Sequence, residues 1–456
     1  MIRTKEKAEG RGQKAELNRS RHCRCAASIL FLFFAVTAFA SDEIPAPPQN
    51  GPILLKNATI HPVSSPDLPN ADILIANGRI ASVGPGLVAP AGAAAIDATG
   101  KHIYPGLIAA ASSIGLEEID AVRSTVDAVE AGDINPNARA EISVNPDSEI
   151  IPVTRSNGIL VALAVPRTSG LLAGTSALIE LDGWTWEQMT LRAPVGLHLK
   201  WPDTTIRFDP KFPKSPDDQR KTLAKNLKKL EDAFHAARAY AAAKKAKRSD
   251  FQTDLRWEAM IPVLEGKVPV IIEANNLTQI TAAVDFAIRE RLKMILLGGE
   301  DASLAIDLLK THQIPVILTS AFDIPSRRQD GYDAAYSTAA RLQAAGVPFC
   351  ISTSGSDART PHLRNLPYQA GMAAAFGLPK DEALKSVTLY PAQILGVADR
   401  LGSLDPGKDA TLFITNGDPL EATTTVESAY IEGRQLDLAN RQTRLRDKYL
   451  QKYKTQ

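Results

Sequence analysis

The sequence predicts an α/β fold, in which a (β/α)8 TIM-like barrel lies between two β-rich chain ends that pair into a small β-sandwich. Short β-branched runs alternate with helical patterns through the middle of the 456 residues, which is typical of a parallel sheet. Alternating strand patterns come before this region. Short strands joined by tight turns return after it.

The first forty residues have the order of a secretory signal peptide. Arg19, Arg21 and Arg24 precede an apolar run over 26–40 that ends in small residues. A membrane anchor is the alternative, but the run is shorter than the roughly 20 residues that span a bilayer. We therefore expect residues 1–40 to be removed and the mature chain to be exported, as a periplasmic or extracellular protein.

Composition limits the partners of the mature chain. Residues 1–40 carry eight Lys or Arg and three Asp or Glu, so their loss changes the formal net charge from +1 to −4. The sequence thus predicts no nucleic-acid partner, and no membrane contact after signal cleavage. Cys23 and Cys25 leave with the signal, so Cys350 has no internal disulfide partner.

The β-rich ends follow a Pro-rich linker. Asn77-Gly78 between two apolar runs predicts a hairpin, and Gly417-Asp418-Pro419 and Glu432-Gly433 join the strands near the other end. The predicted organisation is 1–40 signal peptide, 41–52 linker, 53–104 first part of the sandwich, 105–392 barrel, 393–438 second part of the sandwich and 439–456 C-terminal helical tail.

The barrel region contains five clear apolar runs and one long helix. We predict buried strands at 158–165, 268–272, 293–297, 314–318 and 347–351. Arg220–Lys247 reads as one helix with a solvated Lys- and Arg-rich side, and Leu223, Leu227, Leu230, Phe234 and Ala237 share its apolar face. The Gly-rich stretch 170–176 fits no phosphate-binding spacing and is interpreted as a turn.

Four motif groups in this order resemble the amidohydrolase superfamily, close to its imidazolonepropionase-like branch. They are Lys56-Asn-Ala-Thr-Ile60; Ala71-Asp-Ile-Leu-Ile75 with Asn77-Gly-Arg-Ile80; Ile96-Asp-Ala-Thr-Gly100 leading to Pro105-Gly-Leu-Ile108; and Thr388-Leu-Tyr-Pro-Ala392 with Gly402-Ser-Leu-Asp-Pro-Gly-Lys-Asp-Ala410. The resemblance covers essentially the whole mature chain, and it implies the barrel, the composite sandwich and hydrolysis of carbon–nitrogen bonds other than peptide bonds.

The resemblance also implies one or two divalent metals, such as zinc, held at the carboxyl ends of the strands. His-x-His on the first strand, His on the fifth and sixth and Asp on the eighth would bind the metal, which acidifies a bound water. Here Ala111 and Ser113 stand at the first pair, Glu273 and Asn275 at the fifth strand and Gly298 at the sixth. We therefore expect no metal and no other cofactor.

The eighth strand departs from the pattern as well. Ser354 replaces the catalytic acid, Asp357 follows three residues later, and His362 lies in the loop beyond, near the expected pocket mouth. Together with the five residues above, these three complete the predicted vestigial pocket. The catalytic residues are left unassigned.

Other polar residues are interpreted as structural. His61, His102, His235 and His312 fall in predicted strands, a helix and a loop, and none of the histidines forms a pair with metal-ligand spacing. His198 and Lys200 alternate on one face and could place a basic pair in the pocket, although Trp201-Pro202 ends that run. Glu117, Glu118 and Asp120 are interpreted as the solvated start of a helix or loop.

Three functions follow from this reading. The first is an exported pseudoenzyme that assists an active paralogue, forms a homo-oligomer, or binds a ligand through Ser113, Glu273, Asn275 and Ser354. The second is a carbon–nitrogen hydrolase with a relocated site, which would need Glu273, Asp301, Asp357 and His362 to converge. The third is a structural envelope interaction protein.

Overall fold

A computed structural model describes residues 43–454, apart from short gaps at 168–169, 210–212, 248–249, 320, 326 and 354–356. The predicted signal peptide and Ser354 lie outside the described residues, as do the side chains of 357–359. Pro45–Gln456 forms one compact unit. Among the described helices, none combines the length and the apolar character needed to cross a membrane.

The regular elements are numbered along the described chain. The strands are β1 Ile53–Ile60, β2 Leu68–Ala76, β3 Arg79–Gly84, β4 Ala94–Asp97, β5 His102–Pro105, β6 Leu107–Ser112, β7 Ile159–Ala164, β8 Leu172–Thr175, β9 Ala177–Glu180, β10 Thr190–Arg192, β11 Leu197–Lys200, β12 Val270–Ala274, β13 Met294–Gly298, β14 Val316–Leu318, β15 Phe349–Ile351, β16 Leu412–Thr415, β17 Val426–Ile431 and β18 Arg434–Gln435. The α-helices are α1 Ile150–Arg155, α2 Trp186–Met189, α3 Pro216–Lys245, α4 Leu255–Leu264, α5 Leu277–Arg289, α6 Ile306–Thr311, α7 Ala334–Ala345, α8 Leu366–Ala375, α9 Lys380–Lys385, α10 Leu389–Ile394 and α11 Arg441–Lys454.

Both β-rich ends of the chain belong to one sheet. Its order is β18-β17-β16-β5-β1-β2-β3, and β4 pairs with β1 outside this path. The antiparallel pair β5–β16 joins the ends, with Tyr104 opposite Phe413. Asn77 and Gly78 adopt positive φ angles between β2 and β3, which confirms the predicted hairpin turn. The division of this sheet into two sandwich layers stays a prediction.

Two further sheets carry the predicted barrel strands. One has the order β10-β9-β7-β6, with β6 and β7 parallel. The other has the order β15-β14-β13-β12-β11-β8, in which β11 to β15 are all parallel. Five predicted strands are confirmed as apolar, buried strands of these sheets. They are β7, β12, β13, β14 and β15, which overlap the predicted runs 158–165, 268–272, 293–297, 314–318 and 347–351.

Hydrogen bonds link these two sheets at both edges. Ser176 connects β8 to β9 and exchanges backbone hydrogen bonds with 195–196 at 2.9 and 3.0 Å. On the other side, the segment 386–387 bridges β6 and β15. The Ile108 N–H of β6 donates to Val387 O at 2.8 Å, and the Ile351 N–H of β15 donates to Ser386 O at 3.0 Å. These links hold β6 beside β15, as the predicted closed barrel requires.

The core divides according to the faces of these strands. Side chains from β6, β7, β12, β13, β14 and β15 form an inner cluster that includes Ile108, Val161, Ile271, Ile295, Ile317 and Cys350. The alternate residues pack outward with the helices in a second cluster, as expected for strands whose side chains point to opposite faces. Cys350 lies in β15, where it is free and buried.

The long helix starts earlier than predicted. The helix α3 begins at Pro216 because Ser215 caps it, accepting a hydrogen bond from the Asp218 N–H, and proline fits the first helical turn. Leu230, Phe234 and Ala237 are buried on one face, which confirms that part of the predicted stripe.

The interpretation of 170–176 as a turn is wrong. Residues Leu172–Thr175 form β8, which pairs antiparallel with β11 through Leu197 and Thr175. Gly174 has a φ of 120°, and a Cβ there would meet the Ala138 carbonyl, so glycine permits the close approach of 138. Long-range pairing therefore outweighs the local turn signal.

Candidate functional site

Five of the predicted pocket positions lie at or next to the carboxyl ends of β6, β12 and β13. Strands β12 and β13 pair in parallel with Ala274 opposite Gly298. At the junction of β6 and β15, the Ala111 N–H donates to Ser352 Oγ at 2.8 Å. Asn275 follows β12 and Ser113 follows β6 directly. These five positions therefore form two groups, one at the paired ends of β12 and β13 and one at the junction of β6 and β15.

Asn275 takes the space beside Gly298. Gly298 has a φ of 101°, in the left-handed region that favours glycine, and a Cβ built there would collide with Asn275 Oδ1. The Asp301 N–H donates to the Asn275 carbonyl at 2.8 Å, and the Asn275 N–H donates to Gln279 Oε1 at 3.2 Å. The two strand ends are thus adapted to each other, and a larger residue at 298 requires Asn275 to move.

Hydroxyl groups occupy the junction of β6 and β15. Ser352 Oγ accepts from the Ala111 N–H and donates back to the Ala111 carbonyl at 3.2 Å. Thr353 Oγ1 also donates to that carbonyl, at 3.4 Å. Ala111, Ser113 and Ser352 are almost completely buried. This corner holds the backbone together through neutral groups.

One carboxylate and one amine share the inner face at the ends of β11 and β12. Glu273 is directly opposite Lys200, and His198 is opposite Ile271 of the inner cluster. Residues opposite each other in neighbouring strands point to the same side, so all three side chains face inward. Glu273 is half-buried, whereas Lys200 is exposed.

His198 does not form the basic pair that the sequence allowed. The ring is buried, and its Nε2 has no hydrogen-bond partner among the described residues. Burial lowers the pKa of His198 to about 3 because the charged imidazolium would lose its hydration. The side chain is therefore neutral at physiological pH and acts as part of the core.

An ion pair fixes the loop after β13. Asp301 is buried and accepts two hydrogen bonds from the Arg327 guanidinium, at 2.7 and 2.9 Å. Asp301 Oδ2 also accepts from the Leu277 N–H at 2.9 Å, where a carboxylate is favoured by the N-terminus of α5. Asn276 and Gln279 form a capping box at the start of α5.

A second ion pair lies beyond β6 and β7. Glu117 is buried and its Oε2 is 2.7 Å from Nη2 of Arg167. Burial raises the pKa of the Glu117 carboxyl, and Arg167 opposes this. The interpretation of Glu117 as solvated is therefore wrong, because the arginine partner allows the carboxylate to be buried, whereas Asp120 is exposed as predicted.

One of the remaining predicted site residues is exposed, and the other two lie wholly or partly outside the described residues. His362 is exposed on a 3-10 helix over Asp357–Asn365. The side chain of Asp357 and all of Ser354 lie outside the described residues. Among the four acidic and basic residues of the relocated-site hypothesis, Asp301 is already engaged by Arg327.

The described side chains do not fit the metal centre that the resemblance implies. Ala111 and Gly298 carry no donor atom, and the oxygen of Asn275 lies against Gly298. Zinc sites need several imidazole, thiolate or carboxylate donors that point to one centre. Within residues 43–454 as described, no group of three or more His, Cys, Asp or Glu could hold a metal ion.

Two histidines that are 41 residues apart in the sequence are in contact in the structure. His61 and His102 have ring nitrogens 2.9 Å apart, and His61 Nδ1 is 2.9 Å from Asp67 Oδ2. Their rings line a cavity of about 920 Å³ with Tyr104 and Asp418. Sequence spacing could not show this pair because the parallel pairing of β1 with β5 brings the two histidines together.

Comparisons with known proteins agree with this architecture. The profile described as Amidohydrolase family matches residues 315–435. The amidohydrolase tasK of Hapsidospora irregularis is 24% identical over 398 residues, which are 79% of this chain and 39% of that protein. An imidazolonepropionase of Brucella anthropi is 28% identical over 148 residues, or 32% of this chain and 35% of that protein. The chain thus spans well under two thirds of both curated relatives.

A solved structure covers more of the chain. The crystal structure of an amidohydrolase from Thermotoga maritima superimposes with a TM-score of 0.75 at 26% identity, over 84% of this chain and 99% of that one. This similarity shows a TIM-barrel-like α/β fold.

Proposed function

This chain belongs to the amidohydrolase superfamily, and we propose that it is an exported, non-catalytic member that binds a small ligand at the carboxyl ends of its barrel strands. The family implies a hydrolase of carbon–nitrogen bonds. Export is proposed from the pattern of residues 1–40 alone.

The contact between Asn275 and Gly298 carries the proposal. A metal ligand at 298 needs a side chain, and Asn275 Oδ1 occupies the position where that side chain would begin. Losing one ligand could retune a metal site, but Ala111 and Ser113 also replace the expected histidine pair. Without the metal, nothing lowers the pKa of a bound water toward neutrality.

The polar side chains at the ends of β11 and β12 favour ligand binding over a purely structural role. Glu273 and Lys200 face inward as a half-buried carboxylate and an exposed amine, and Asn275 follows two residues after Glu273. A few polar groups on apolar walls are typical of small-molecule sites. A ligand that offers both a cationic and an anionic group fits Glu273 and Lys200.

Metal analysis tests the loss of the centre. The purified protein is dialysed against dilute chelator, and one equivalent of zinc, manganese or iron is then added. We expect the protein to retain far less than one metal ion per chain. Stoichiometric, tightly held metal would contradict the proposal.

An activity assay separates this proposal from the relocated-site alternative. A panel of N-acyl amino acids and cyclic amides is offered to the parent and to Glu273→Gln, with Glu300→Gln as the matched control because Glu300 is half-buried just beyond β13. We expect no turnover with any of the three. Turnover that is lost only in Glu273→Gln would establish the relocated site.

A further inference from the structure

The helix α11, which we term the basic helix, has an apolar face that is exposed to solvent. Leu445, Tyr449 and Tyr453 follow one another at four-residue spacing and are all exposed, Tyr453 at 64%. Residues 441–454 contain six Lys or Arg and one Asp. No residue of this helix is buried. An apolar stripe with this charge indicates a surface that binds an acidic partner.

The helix is held firmly at its start. Asn440 is buried, its Oδ1 accepts from the N–H groups of Gln442 and Thr443 at 3.0 and 3.1 Å, and its Nδ2 donates to Ser156 Oγ at 3.2 Å. The cap therefore fixes where the basic helix leaves the body of the protein.

A surface of opposite charge lies beside this start. Residues 117–149 contain nine Asp or Glu and two Lys or Arg. Within them, 117–126 form a small hairpin, in which the Glu118 N–H donates to the Thr125 carbonyl at 3.1 Å. Its tip exposes Ile119 and Val122, at 56% and 41%. We term the group Glu118, Ile119, Val122, Asp147 and Glu149 the acidic patch.

The two surfaces adjoin but do not cover each other. Glu118, Ile119, Asp147 and Glu149 line a cavity of about 410 Å³ together with Arg441 and Gln442 of the first helical turn. The apolar residues from Leu445 onward stay exposed. The acidic patch therefore meets only the beginning of its own basic helix.

We propose that the basic helix of one copy packs on the acidic patch of a second copy, and reciprocally, in a two-fold symmetric dimer. The two complementary surfaces adjoin on each molecule, so a single two-fold axis can place each basic helix on the acidic patch of the other copy. Both contacts are then made in one closed dimer. The contact joins opposite charges and removes Leu445, Tyr449, Ile119 and Val122 from water.

An anionic membrane is a poorer partner for the same helix. Residues 41–440 carry a net charge of −9, since the mature chain has −4 and the basic helix contributes +5. A lipid surface that attracted the basic helix would repel the adjoining acidic patch. A second copy offers the complement of both surfaces.

Sedimentation velocity over a concentration series tests the dimer. We expect dimers at micromolar concentration in about 50 mM salt and dissociation in about 500 mM, because screening weakens exposed charge pairs. Lys448→Glu and Glu149→Lys should each raise the dimer dissociation constant about tenfold or more, and the double charge swap should restore much of the loss. Tyr449→Ser tests the apolar part.

Lys225→Glu is the matched control, since Lys225 is also an exposed lysine but lies on α3, outside the two surfaces. All variants change exposed side chains, and circular dichroism checks that they fold. A protein that stays monomeric at about 100 µM in low salt would overturn the proposal. So would a dimer that Lys448→Glu leaves unchanged, or monomers that bind anionic phosphatidylglycerol vesicles through the basic helix.

Discussion

The carboxamide oxygen of Asn275 lies where a Cβ on Gly298 would stand, and Gly298 holds a φ that other residues avoid. The ends of β12 and β13 are therefore adapted to each other without a side chain at 298. The resemblance implies a metal ligand at this corner, and a side chain at 298 would require Asn275 to move.

Gly298→Ala should destabilise the protein by about 2–4 kcal/mol, because it combines left-handed backbone strain with a collision against Asn275. Urea unfolding measures this loss. Gly346→Ala is the control, since Gly346 has a φ of 72° with open space around its Cβ position, and should cost about 1–2 kcal/mol. Adding Asn275→Ala to Gly298→Ala should remove the collision and reduce the loss of stability to that of Gly346→Ala. Equal losses of stability in Gly298→Ala and Gly346→Ala would contradict the collision.

Ser352→Ala should cost about 1–3 kcal/mol, because it removes a buried hydroxyl that both accepts from the Ala111 N–H and donates to the Ala111 carbonyl. Thermal unfolding provides the measurement. Ser64→Ala removes an exposed hydrogen bond to Asp405 and should change stability far less. Similar losses for both would show that Ser352 does not secure the junction of β6 and β15.

Arg327→Ala should destabilise the protein by about 1–3 kcal/mol, because it leaves the buried Asp301 carboxylate without its guanidinium partner. Chemical unfolding at neutral pH gives the change. Arg327→Ala combined with Asp301→Asn should be less destabilising than the sum of the two single changes, since the uncompensated charge is removed. Simple additivity would show that the pair is not coupled.

The buried His198 predicts a pH dependence of stability. Its folded pKa of about 3 lies below the unfolded value of 6.5, so between these two pH values the unfolded state binds more protons. The free energy of unfolding should therefore fall as the pH drops below 6.5, by about 1.4 kcal/mol per pH unit from this group. Above pH 6.5 both states are neutral and the contribution stays constant.

His198→Gln should reduce that slope, whereas His235→Gln, on an exposed position of α3, should leave it unchanged. Unfolding curves at pH 7, 6 and 5 give the comparison. An unaltered slope in His198→Gln would mean that other groups account for the acid sensitivity.

Periodic and turn signals predicted much of the fold. The runs that became β7 and β12 to β15 are apolar and bounded by breakers, and Asn77-Gly78 specifies its turn through positive φ angles. Local pattern failed at 172–175, where pairing with β11 turns a Gly-rich stretch into a strand. It also gave no sign that β1 and β5 would bring His61 to His102.

The site was predictable only in part. The resemblance named Ala111, Asn275 and Gly298 by position, and the structure places each of them at or next to the carboxyl end of a strand. It could not show that Asn275 fills the space at Gly298, since this depends on a left-handed backbone angle. Arg327 was missed because its partner Asp301 lies 26 residues earlier, and only the folded loop joins them.

The pairing of β5 with β16 has a consequence for how the protein acquires its shape. Leu412 is opposite Pro105, so the sheet that contains both chain ends is completed by pairing segments about three hundred residues apart in the chain. Such distant partners make folding slow, because a long loop must be ordered before the contact forms. During synthesis the first five strands must wait, with one edge unsatisfied, until almost the whole polypeptide has emerged. A chaperone that shields this edge would raise the yield more than one that acts on the barrel helices.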